Sequence, residues 1–288
     1  MVALTLCARK RKLGPESECY SLKSGPTDRF ARKIVTIPTT GPYLETGYRM
    51  PQSPTFWQVR ELDEGFYPSV LENLRGLPVH TFLPTGYEPN YPYPLVVFFH
   101  GHGGNEEQIL RWAPNLSRRN YICISLRGPE PLGPGVDGEP GFSWVADGVG
   151  DSLLEDYVFR AIEQTRRCYH VHSERIYLAG FCEGADLAYR LGLTYPEKFG
   201  GIISLNGALP RRNGPLFRLP EIRQLRVWIG HGIANSMVPM SLAQRDFRAL
   251  YAAGVEAHFR TYPTTHRLHS DMLRDVNRWI IDSIESEV

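Results

Sequence analysis

Residues 95–99 read Leu-Val-Val-Phe-Phe, a run with no polar member. A β-strand points alternate side chains to opposite faces, so a strand of this composition must be covered on both. That requirement favours a sheet sandwiched between helices, and the rest of the chain agrees with it. From residue 77 onward, apolar runs of strand length alternate with stretches of helical period. Strands are predicted at Val79–Leu83, Leu95–Phe99, Tyr121–Leu126, around Ile176, Gly201–Leu205, Leu225–Gly230 and Ala257–Tyr262. Helices are predicted at Glu106–Arg118, Leu153–Arg166, after Gly184, over Ser241–Ala253 up to Gly254, and at the C-terminus through Leu273, Val276, Ile280 and Ile284. Such alternation implies an α/β fold with a mostly parallel sheet and helices on both faces. A helix over Glu61–Arg75 is also expected, with Leu71 and Leu74 on one face. Residues 1–76 otherwise lack periodicity and carry scattered Pro and Gly, so they are read as an N-terminal extension to a domain at 77–288.

The chemistry concentrates at Gly180-Phe181-Cys182-Glu183-Gly184, between an apolar run and an amphipathic helix. This is the context of the G-x-S-x-G nucleophile elbow, with cysteine in the serine position. So tight a turn strains the nucleophile's backbone and needs small residues two places to either side. A cysteine at the head of a helix also meets the positive end of the helix dipole, which favours a thiolate.

Three further segments line up with it. His100-Gly101-His102-Gly103-Gly104-Asn105 follows the Leu95–Phe99 run. Its glycines allow backbone N–H groups to approach an oxyanion, and the N–H of His102 paired with that of Glu183 is the expected donor set. His266 lies between the last strand and last helix, the position of a general base. Asn235 lies in His231-Gly232-Ile233-Ala234-Asn235-Ser236-Met237-Val238-Pro239, which looks like an H-G-x-x-D-x-x-V-P segment with asparagine for aspartate.

Residues 79–284 resemble the α/β-hydrolase fold. They are most similar to its phospholipase/carboxylesterase branch, which includes acyl-protein thioesterases and bacterial carboxylesterases. The resemblance rests on Gly180-Phe181-Cys182-Glu183-Gly184-Ala185, on Tyr195-Pro196-Glu197-Lys198-Phe199-Gly200-Gly201, and on Ser204-Leu205-Asn206-Gly207-Ala208-Leu209-Pro210. The His-Gly and Tyr-Pro…His segments add to it. It implies an ester hydrolase whose nucleophile, acid and base map onto Cys182, Asn235 and His266; the first two depart from the family pattern. Dienelactone hydrolases, on the same fold, also use an elbow cysteine.

The two departures are chemically compatible. Replacing a triad aspartate by asparagine costs a serine enzyme about four orders of magnitude, because imidazolium forms as the serine attacks. A thiol titrates near ~8.5, so a paired histidine can hold it ionised beforehand and then needs orientation more than charge. The reading is therefore an acyl-Cys182 enzyme acting on a small-molecule ester, thioester or lactone, without a cofactor. On it, Cys182 alkylates rapidly below the free-thiol pKa. Phe181, Phe142, Trp144 and Met237 are expected to line an acyl pocket, and the Gly/Pro-rich loop 127–141 to overhang the site. The alternative is an inactive hydrolase fold retained for binding or scaffolding.

Other classes find little support. A net charge of +1 and the lack of a basic stripe with stacking aromatics argue against nucleic-acid binding. The basic run 8–12 reads as a solvated N-terminal arm, and 29–33 adds positive charge to the extension. His100/His102, His170/His172 and His266/His269 complete no zinc spacing, so no metal is expected. Five scattered cysteines are no disulfide framework, no apolar run reaches membrane-spanning length, and the start of the chain reverses a secretory signal. A cytoplasmic protein is expected, while the oligomeric state is left open.

Overall fold

The computed structural model describes residues 64–71, 77–134, 138–145, 151–210 and 221–286. Ten strands and six α-helices alternate through them: β1 Gly65–Val70, β2 Pro78–Leu83, β3 Tyr93–Phe99, α1 Glu106–Leu110, α2 Ala113–Leu116, β4 Ile122–Leu126, β5 Glu130–Pro134, β6 Pro140–Ser143, α3 Asp151–Cys168, β7 Val171–Phe181, α4 Glu183–Thr194, β8 Gly201–Leu205, β9 Arg226–Gly232, α5 Met240–Ala252, β10 Glu256–Tyr262 and α6 Ser270–Glu285. Eight of the strands form one sheet in the order β1-β2-β4-β3-β7-β8-β9-β10. Only the pairings of β2 with β1 and with β4 are antiparallel; the others are parallel. This is the α/β-hydrolase fold.

The two faces of β3 separate as the period of two requires. Leu95, Val97 and Phe99 join a core with Leu154, Tyr157, Val158 and Ala161 of α3, Leu187 and Leu191 of α4 and Leu250 of α5. Val96 and Phe98 join a second core with Ile109 and Leu110 of α1, Ala113 and Leu116 of α2, and Met272, Leu273, Val276 and Ile280 of α6. Each fully buried aliphatic side chain contributes about 1.5–3 kcal/mol of transfer free energy, so these layers dominate the stabilisation.

Chain order also fixes where a ligand sits. From β3 the chain moves to β4 on one side, then returns to place β7 on the other. The loops leaving β3 and β7 therefore diverge, and a crevice opens beyond their carboxyl ends.

Three sequence expectations differ from this structure. The predicted helix over 61–75 is displaced by strand β1 at 65–70, whose Phe66, Tyr67 and Val70 have strong strand preference and whose Pro68 opposes a helix; Leu74 lies outside the described residues. The domain's sheet thus begins before residue 77. The single helix expected at 106–118 is two short ones, because Pro114 has no N–H to give the Leu110 carbonyl. Loop 127–141 contains a hairpin, β5 against β6. The basic runs at 8–12 and 29–33 lie outside the described residues. Among the described residues no helix is long and apolar enough to cross a membrane.

Candidate active site

Five loops meet at the carboxyl edge of the parallel strands, leaving β3, β7, β8, β9 and β10. Cys182 heads α4 directly after β7 and takes φ 54°, ψ −115°, a conformation that costs a non-glycine residue of order 1–3 kcal/mol. Its N–H donates to the Leu205 carbonyl at 3.0 Å, tying the turn to β8. A Cβ on Gly180 would run into the Gly184 carbonyl oxygen, and one on Gly184 into that of Phe99. The two elbow glycines are thus required by each other and by the β3 backbone.

The backbone N–H groups of Glu183 and His102 lie beside the Cys182 sulfur and favour its ionised form. They are the two donors expected of an oxyanion hole, and here the thiol sits against them. Burial pushes the Cys182 thiol above its ordinary value; the two N–H groups pull it back, and the Glu183 carboxylate adds to the rise. Burial thus acts against the thiolate that the head of a helix was expected to favour. Among the described residues no hydrogen bond joins Cys182 to His266.

The loop after β3 is pinned from two sides. Buried His100 donates from Nδ1 to the Gly101 carbonyl at 2.8 Å and accepts the Gly128 N–H at Nε2, also at 2.8 Å. Burial lowers its pKa, in keeping with this neutral, one-proton arrangement. Gly103 N–H donates to the Phe142 carbonyl at 2.9 Å, and Phe142 N–H to that of Gly104 at 2.8 Å, so β6 continues onto the glycine loop. Asn105 caps α1 by accepting the Gln108 N–H at 2.8 Å.

His266 is half-buried, with Nδ1 3.0 Å from Asn235 Oδ1. Burial pushes its pKa below the ordinary imidazole value, and His231 nearby adds to the effect. Asn235 Oδ1 also accepts the N–H groups of Met237 and Val238, each at 3.0 Å. His231, buried in β9, holds the far end of this loop through Nε2 to the Val238 carbonyl at 2.9 Å.

The expected pocket residues divide. Trp144 is 3% exposed, packs edge-on against Phe99 and donates from its indole to the His100 carbonyl at 2.9 Å. It therefore belongs to the core and not to an acyl pocket. Phe142 lies under the Arg127 guanidinium, 4.7 Å from ring centroid to Cζ. Phe181 packs against His266, and Met237 is 71% exposed. Sequence reading missed the Glu183 side chain, whose Oε1 accepts the Ser143 hydroxyl at 2.7 Å and whose Oε2 is 3.4 Å from His102 Nδ1. It also missed Asn206, although an Asn-Gly following a strand end is the signal of a residue tolerant of positive φ, which here is 55°. Among the described residues no cluster of three His, Cys, Asp or Glu is set to hold a metal ion.

A sheet of this topology with a strained residue at the strand-to-helix elbow defines a protein of the α/β-hydrolase class. A carboxylesterase of Bacillus cereus shares the fold at a TM-score of 0.54 and 21% identity, over 73% of this chain and 95% of that one. The phospholipase/carboxylesterase family model matches residues 150–284. Acyl-protein thioesterase 1 of Mycosarcoma maydis is 32% identical over 213 residues, 64% of this chain and 89% of that protein. A rice protein (Oryza sativa subsp. japonica) named as a probable carboxylesterase is 30% identical over 115 residues, 39% of this chain and 43% of that protein. The chain belongs to the phospholipase/carboxylesterase family.

Proposed function

We propose that the chain hydrolyses small-molecule carboxylic esters or thioesters through an acyl intermediate on Cys182. His266 acts as base and then acid, and Asn235 orients it. The observation that carries this reading is Cys182 at the strained elbow, with the His102 and Glu183 N–H groups beside its sulfur. Two convergent backbone donors beside a nucleophilic atom are what an oxyanion needs.

The steps follow from the geometry. An incoming carbonyl oxygen displaces the sulfur from the two N–H groups, and the sulfur turns to the carbonyl carbon. As the S–C bond forms, the thiol proton passes to His266 Nε2, which is free because Nδ1 faces Asn235. The carbonyl π pair moves onto oxygen and is held by the two N–H groups. On collapse the alcohol or thiol leaves with the proton from His266. Water then attacks the acyl-sulfur carbonyl, giving its proton to His266, and the carboxylic acid departs as the thiol is restored. These steps balance without a cofactor. Because the thiol starts neutral, His266 removes its proton during attack, and its lowered pKa suits it to be neutral at pH 7.

Hydrolysis of p-nitrophenyl esters and acyl thioesters by the unchanged chain and Cys182→Ala tests the proposal, with intact-mass detection of the acyl adduct after acid quench. Loss of both turnover and adduct in Cys182→Ala is the expected result. Turnover undiminished in that variant overturns the proposal.

A further inference from the structure

Asn206 is fully buried at the end of β8, between the loops that carry Asn235 and His266. Its N–H donates to the Gly230 carbonyl at 2.8 Å. Its side-chain Oδ1 accepts the Gly232 N–H at 2.7 Å, and its Nδ2 donates to the Arg267 carbonyl at 2.8 Å. Turning the amide over would set NH2 against N–H and oxygen against oxygen, losing both bonds. Its orientation is therefore fixed by backbone groups on either side.

That fixed amide points an acceptor at position 235. Asn235 Nδ2 lies 3.2 Å from Asn206 Oδ1 and donates to it. The other end of the Asn235 amide is equally constrained, since Oδ1 receives the Met237 and Val238 N–H groups. With Oδ1 so held, the imidazole nitrogen that faces it, His266 Nδ1, is the protonated one.

We infer that Asn206 is a positioning residue that specifies an amide at position 235, and through it the orientation of His266. This rests on the reading of His266 as the base. An aspartate at 235 would keep the three donors to Oδ1 but turn its second, charged oxygen onto Asn206 Oδ1. Two acceptors then face each other in a buried site, unless the carboxyl keeps a proton. The asparagine is thus a fitted part of this site, and the aspartate of the family pattern does not fit beside Asn206.

The test is a cycle of Asn235→Asp, Asn206→Ser and the double variant in the full chain, read by kcat/KM on a p-nitrophenyl ester and by urea midpoint. Serine at 206 is shorter and its hydroxyl can donate. Asn235→Asp alone lowers kcat/KM about tenfold or more and lowers the midpoint, as facing unpaired acceptors in a buried site should. The double variant recovers most of both losses relative to Asn206→Ser. An Asn235→Asp chain as active and as stable as the unchanged one overturns the inference, as does a double variant that recovers neither. If Cys182→Ala retains turnover, the proposed function fails while the urea midpoints still decide the amide pairing.

Discussion

The ring of Phe181 lies 5.1 Å from that of His266, centroid to centroid and inclined by 40°. The residue before the proposed nucleophile thus buttresses the proposed base, and the two loops meet through an aromatic contact. Phe181→Ala removes the wall against which the imidazole rests. We expect kcat/KM to fall about ten- to a hundredfold, since small misplacements of a catalytic group cost that much, with circular dichroism unchanged. Activity within twofold of the unchanged chain, a barrier difference of about 0.4 kcal/mol, would rule out the buttress.

Cys182 should alkylate slowly at neutral pH. Its thiol is held above the ordinary value by burial, so the reactive thiolate grows in only as pH rises past the usual thiol range. Iodoacetamide labelling followed by peptide mass mapping gives the profile. Rapid labelling near pH 6 to 7, about two units below a free thiol, would contradict it.

Three imidazoles, His100, His231 and His266, are each held below the ordinary value, chiefly by burial. In the unfolded chain they protonate near ~6.5, while in the fold they do so only at lower pH. Across that window the unfolded chain binds more protons, so stability falls as pH falls. It is intact above the unfolded value and is lost on descending through the folded ones. The urea midpoint is expected to be lower at about pH 5.5 than at about pH 7.5, and His100→Gln should flatten the difference.

Gly180→Ala places a methyl group against the Gly184 carbonyl. Neither partner is a flexible side chain, so the elbow itself must move. A loss of about 1–3 kcal/mol or more in stability is expected, together with loss of turnover. Thermal melting beside an esterase assay measures both.

Trp144 and Met237 should separate in their effects. Trp144→Phe gives up the indole bond to the His100 carbonyl and should cost roughly 1 kcal/mol of stability without changing acyl-chain preference. Met237→Ala, at an exposed position, should leave stability unchanged and alter KM across a chain-length series.

Much of this was legible because the local signals agreed with the fold. Leu95–Phe99 has nowhere to go but a strand covered on both faces, and Gly180 and Gly184 bracket a turn too tight for a Cβ at either place. Asn235 and His266 followed from their order along the chain. What escaped depended on distant partners. Gly65–Val70 becomes a strand because β2 offers it an edge, and Glu130–Ser143 folds as a hairpin despite its Pro and Gly because Gly104 receives Phe142. Trp144 looked available until Phe99 and His100 closed around it. The sulfur's raised pKa is a matter of burial, which neighbours along the chain do not reveal. Asn206 matters only through Gly232, Asn235 and Arg267, each more than 20 positions away.

The two bonds between Phe142 and the glycine loop tie hairpin β5–β6 to the loop that carries the His102 N–H, one of the two donors in the proposed mechanism. On that mechanism, a substrate group resting on the hairpin, remote from the bond being cut, leans on the loop whose N–H receives part of the developing charge. Recognition of such a group appears in the rate of the chemical step as well as in binding. Replacing the hairpin to change which leaving groups are accepted would retune how fast any of them leaves.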